Sequence, residues 1–153
     1  RLVGSEMCIR DSIRAIVDCQ IPVCAHIGLT PQGINALGGF KVQGKTVDSA
    51  RKLLEDAHAV EEAGAFAVVL EAIPAELAER VSAELTIPTI GIGAGAGCDG
   101  QVLVIHDMLG INKGFSPRFL RRYADLHTVM TGAVEQYVRD VKECDFPNEK
   151  EQY

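Results

Sequence analysis

The sequence predicts an α/β protein built on a parallel sheet. Short, β-rich apolar runs alternate with longer segments whose apolar residues recur every three to four positions, the pattern of successive βα units. One run, Phe66 to Leu70, is apolar without interruption, as suits a strand covered on both faces. At 153 residues and 47% hydrophobic, the chain has material for one ordinary core, and a single globular unit is expected.

Ile21 to Ile27 is the first candidate strand. Gly28 to Gly44 follows as a loop containing Pro31, Gly33, Gly38, Gly39 and Gly44, long enough to expect a role such as covering a site. Its Gly38 to Gly44 stretch, with Lys41, reads either as a mobile cover that excludes water or as a static surface loop. From Asp48, a plausible N-cap, the residues Ala50, Leu53, Leu54, Ala57 and Val60 trace one helix face, and Gly64 stops the helix. The second strand, Phe66 to Leu70, runs into Glu71-Ala72-Ile73-Pro74 and so leaves a carboxylate at its carboxyl end.

Pro74 suits the first turn of a helix that buries Leu77, Ala78, Val81 and Leu85, and Pro88 introduces a third strand, Thr89 to Ile92. The glycine-rich stretch Gly91 to Gly100 leads to a fourth strand, Val102 to Ile105, with no room for a full helix between them. Ser116-Pro117 reads as an N-cap and first helical residue, and Leu126, Val129, Met130, Ala133, Val134, Tyr137, Val138 and Val141 then hold a helical period. Residues 146–153 form a polar tail containing Pro147.

Composition narrows the partners. The formal charge of −6 comes from dispersed acidic residues, and no basic run or stripe offers a footprint for nucleic acid or an anionic membrane. No apolar run approaches the roughly 20 residues that span a bilayer, and no signal peptide opens the chain, so a cytoplasmic protein with a small-molecule substrate is expected. The five cysteines (Cys8, Cys19, Cys24, Cys98 and Cys144) show no zinc-binding spacing, and Cys24, within an apolar run, reads as a small core residue. Gly91-Ile92-Gly93-Ala94-Gly95-Ala96 fits the dinucleotide fingerprint on paper, but a strand rather than a long helix follows, which excludes a Rossmann reading.

Three blocks stand in fixed order: Ile-Pro-Val-Cys-Ala-His-Ile-Gly-Leu-Thr-Pro-Gln at 21–32, Val-Val-Leu-Glu-Ala-Ile-Pro at 68–74, and Ile-Gly-Ile-Gly-Ala-Gly at 90–95. With Gly39 to Gly44 and Asp99 to Asp107 between and after them, they resemble ketopantoate hydroxymethyltransferase from about Ile13 to Pro147. The resemblance implies a TIM (βα)8 barrel, of which this chain would supply an incomplete half: about four parallel strands, barrel strands five to eight, with the closing helices over residues 13–145. Residues 1–12 lack the family pattern and are expected to be an artefactual leader.

The resemblance also implies roles. Glu71 corresponds to the proton acceptor, placed where the mouth of such a barrel carries its chemistry; partial burial that raises its pKa would strengthen it as a base for a C–H proton beside a ketone. From spacing alone it reads equally as a rim glutamate paired with a basic neighbour. His26, ending the preceding strand at the same level, could hydrogen-bond the substrate's oxygen or its enolate; a histidine in an apolar run reads otherwise as a satisfied core residue. The glycines at 91–96 read as an anion cradle or as a plain tight turn.

In the family reaction a magnesium ion chelates a 2-oxo acid, 3-methyl-2-oxobutanoate, and its enolate attacks the methylene carbon carried by 5,10-methylenetetrahydrofolate. The ligands of that metal lie in the family's first half, so no metal ligand is expected here and the chain alone is expected to be inactive. A half-barrel has two unpaired strand edges, and a homo-oligomer is expected. The competing functional readings are a non-catalytic half-barrel that associates with other chains, and a phosphoenolpyruvate/isocitrate-lyase-type barrel enzyme.

Overall fold

A computed structural model describes residues 6–35, 39–114 and 116–153. Gly38, one of the loop glycines noted above, and residues 1–5 lie outside the described residues. Where a single globular unit is expected, the chain divides into two compact units, residues 1–102 and 103–153.

In the first unit, α1 (Glu6–Asp18), β1 (Cys24–Gly28), α2 (Val47–Glu62), β2 (Ala67–Glu71), α3 (Ala75–Glu84), β3 (Thr89–Ile92) and β4 (Gly100–Gln101) follow one another. The strands form one four-stranded sheet in the order β1-β2-β3-β4, every pair parallel. This is the α/β class that the sequence predicts, and strands in sequence order are what consecutive βα units of a (βα)8 barrel produce. α1 runs without a break through the boundary drawn at residue 12, and Ile13 on it joins the buried core.

Local chemistry places the elements. α2 starts two residues earlier than Asp48 suggests, because Thr46 caps it: Ser49 N donates to Thr46 Oγ1 at 3.2 Å, and Ser49 Oγ accepts from Thr46 N at 2.9 Å. Gly64, at φ +96°, ends it. β1 begins at Cys24 rather than Ile21, since Pro22 has no N–H to give a ladder and Gln20 turns at φ 64°. Leu53, Ala57 and Val60 of α2 and Leu77, Ala78 and Val81 of α3 join Ala25, Val68 and Leu70 in one core. Val68 and Leu70 are fully buried, each contributing about 1.5–3 kcal/mol.

The fourth strand is Gly100–Gln101, not Val102 to Ile105. Asp99, just before it, is bonded to the base of β3: Thr89 N and Thr89 Oγ1 donate to Asp99 Oδ2 at 2.8 and 2.9 Å. That clamp sets Gly100 beside Ile90, so pairing starts at once and ends after Val102 N donates to Gly91 O. Ile105, given to the strand by its apolar character, instead opens a short helix.

The second unit contains α4 (Ile105–Met108) and α5 (Leu126–Lys142). Asp125, not Ser116, caps α5, by accepting from Thr128 N at 3.2 Å. No helix starts at Pro117, because the chain that follows spends its donors on the end of α4: Tyr123 N, Leu126 N and His127 N bond the carbonyls of Met108, Leu109 and Gly110. Among the described residues, no helix is long and apolar enough to cross a membrane.

Candidate active site

Strand alternation sorts the side chains of the sheet between two faces. Ala25, Val68 and Leu70 point toward the helices and are buried among them. Cys24, His26 and Gly28 of β1 are register partners of Ala67, Val69 and Glu71 of β2, and these six occupy the opposite face. Cys24 is therefore exposed rather than a core residue, because the apolar run around it contributes its other members to the helix side.

Glu71 is the last residue of β2 and His26 the middle residue of β1. They are not level, since Glu71 is paired with Gly28 and His26 with Val69, one pleat below. His26 Nε2 lies 3.0 Å from Glu71 Oε2, with the side chains 32% and 18% exposed. The approach lacks the alignment of a full hydrogen bond, and Nε2 has no hydrogen-bond partner among the described residues. A cavity of about 350 Å³ runs along β1, with His26, Cys24, Ile27, Ile13, Asp56 and Val60 among its lining.

Hydrogen bonds within the fold hold other carboxylates below their ordinary range. Glu61 is lowered first by its hydrogen bond from the Thr86 hydroxyl and then by that from Thr86 N. Asp99 is lowered by Thr89 N and then the Thr89 hydroxyl. His58 on α2 contacts Glu84 of α3 at 3.2 Å, and His127 on α5 lies 3.2 Å from the Ile111 carbonyl oxygen, so neither joins the pair.

The glycine stretch after β3 packs on α3, where a Cβ on Gly95 would come within 2.5 Å of Ala75 Cβ. Tight packing against a helix accounts for that glycine. The loop before α2 is tied to the end of β2, since Gln43 N donates to Ala72 O at 2.9 Å. Ala72, which sequence reasoning does not single out, is left-handed at φ 49° beside Glu71. No residue type announces that conformation when the position is an alanine.

Among the described residues, no group of three or more His, Cys, Asp or Glu side chains could hold a metal ion. Glu71 and His26 supply two polar groups and no third, so these residues do not fit a magnesium site.

A family model described as ketopantoate hydroxymethyltransferase matches residues 1–149, a stretch that includes the segment expected to be a leader. Curated relatives named 3-methyl-2-oxobutanoate hydroxymethyltransferase include one from Bacteroides thetaiotaomicron, 63% identical over 153 residues, which is 100% of this chain and 56% of the relative. One from Geobacter metallireducens is 60% identical over 141 residues, 92% of this chain and 53% of the relative. One from Porphyromonas gingivalis is 58% identical over 153 residues, again 56% of its own length. The chain spans about half the length of the curated relatives it matches. A match along nearly the whole chain, on a parallel sheet whose strand ends carry Glu71, makes this chain a member of the ketopantoate hydroxymethyltransferase family.

Proposed function

We propose that the chain carries the base half of a hydroxymethyl transfer to 3-methyl-2-oxobutanoate, with Glu71 as proton acceptor and His26 as its partner and substrate contact. The one-carbon unit would come from 5,10-methylenetetrahydrofolate, the donor implied by the sequence resemblance. The observation that carries this reading is the juxtaposition of Glu71 and His26 on the open face of the sheet. The described residues do not fit the magnesium ion implied by the resemblance, and the roles of Glu71 and His26 are independent of it.

The chemistry requires loss of a C–H proton next to a ketone. Glu71 presents Oε2 to His26, and in this reading Oε1 takes the substrate's proton. A proton taken from carbon onto Oε1 neutralises the carboxylate. An imidazole 3.0 Å away can fix the direction of the carboxylate by proximity before that step, and can turn an N–H toward an enolate oxygen once the carboxylate has lost its charge.

The test is hydroxymethyl transfer by a polypeptide that continues this segment to the relatives' length. Glu71→Gln should lower kcat by about 10²–10⁴, the usual contribution of a general base, while 3-methyl-2-oxobutanoate still binds. Turnover by Glu71→Gln within a few-fold of the parent would remove Glu71 from the chemistry. The 153-residue chain assayed alone should give no transfer.

We also propose that the chain associates with further copies of itself. Supporting this are the outer edge of β1, which has no strand partner among the described residues, and the exposed apolar side chains of α5.

A further inference from the structure

Resting on the reading of Glu71 as the base, we propose that Ala72 is a positioning residue, whose left-handed turn ends β2 and sets the Glu71 carboxylate beside His26. If the strand continued past Glu71, alternation would place Ile73 on the same face as Glu71, directly above it. Ile73 is instead 2% exposed and belongs to the core on the helix side. The reversal occurs at Ala72, at φ 49°, a region that a residue with a Cβ enters only at a cost.

The surroundings force that conformation from several sides. Glu71 O accepts from Leu29 N at 2.9 Å, Ala72 N donates to Ile92 O at 2.8 Å, and Ala72 O accepts from Gln43 N at 2.9 Å. A Cβ on Gly28 would lie 2.3 Å from Glu71 O, so glycine there is what lets β1 close on this peptide. Backbone strain held by so many contacts next to a proton acceptor is the pattern of a preorganised site. With Ile73 turned into the core, the last side chain of β2 on the face it shares with His26 is the Glu71 carboxylate.

The experiment uses the 153-residue chain with isotope-labelled histidine. The His26 ring resonance is identified by its loss in His26→Asn, and Glu71→Gln defines where it lies when the pair is broken. Ala72→Gly, which accepts positive φ without strain, should leave the resonance at its parent position and raise Tm by about 3 °C. Ala72→Val, whose branched side chain disfavours that region, should move it toward the Glu71→Gln position and lower Tm. A parent-like resonance in folded Ala72→Val, a displaced resonance or lower Tm in Ala72→Gly, or no displacement in Glu71→Gln would each overturn the proposal. If Ala72→Val does not fold, the glycine variant decides. Neither readout depends on turnover, so a family-length protein without transfer activity would sink the proposed function and leave this result standing.

Discussion

Glu71 is legible in the sequence because a carboxylate ending an uninterrupted apolar run has little choice of place: the run is a buried strand and its polar terminus lies at the strand's end. Its contact with His26 is not legible. It depends on the register between strands more than 40 residues apart in sequence, which pairs Glu71 with Gly28 rather than with His26. The same register explains why Gly28 tolerates nothing larger. At φ +88°, with Glu71 O 2.3 Å from where a Cβ would stand, Gly28→Ala adds about 1–2 kcal/mol of backbone strain to a clash with main chain that cannot swing away. Urea unfolding should show Gly28→Ala losing at least that much stability; a midpoint within error of the parent would contradict the close approach of β1 to the Glu71 peptide.

Elements with a local cause are the ones the sequence reveals. The faces of α2 and α3 follow from their apolar period, and β3 is bounded as Pro88 and the glycines suggest. Misreadings arise where a long-range bond decides. Asp99 pulls the fourth strand forward onto Thr89, and the turn after α4 takes the donors that a helix from Pro117 would need. Glu61 is another such bond: its Oε1 accepts from Thr86 N at 2.6 Å, Thr86 Oγ1 at 2.7 Å and Ile87 N at 3.2 Å, joining the end of α2 to the turn before β3. Those donors hold its pKa below the ordinary 4.5, so the folded state binds its proton less readily than the unfolded state does. The stability this confers is present above the unfolded value and is lost as pH falls through the lowered folded value. Glu61→Gln should therefore lower stability at pH 7 by about 1–2 kcal/mol, with the gap to the parent closing in acid below the carboxylate range. A gap that stayed constant from pH 7 to pH 3 would show that the charge is not what the three donors recognise.

At the scale of the whole molecule, burial is distributed unevenly. The first unit holds the core, whereas α5 has no buried residue along its 17 positions. Its apolar period was legible in the sequence, yet that period does not say what it will meet. Val129 is 65% exposed, Val134 61% and Tyr137 55%, and Met130, Val138 and Val141 are exposed along the same helix. Helices in water do not keep such a stripe open without a reason, and an interface that holds two chains together needs on the order of 800 Å² from each partner. A second copy brings the same stripe, so self-pairing covers both at once under twofold symmetry. Light scattering should accordingly give a mass above that of one chain, and Val134→Asp should lower it by burying a charge in the new interface. Because Val134 is 61% exposed and α5 has no buried residue among the described residues, the far-UV circular dichroism of this variant should not change. A parent protein that scatters as a single chain, or an assembly indifferent to Val134→Asp, would leave α5 without the partner assigned to it.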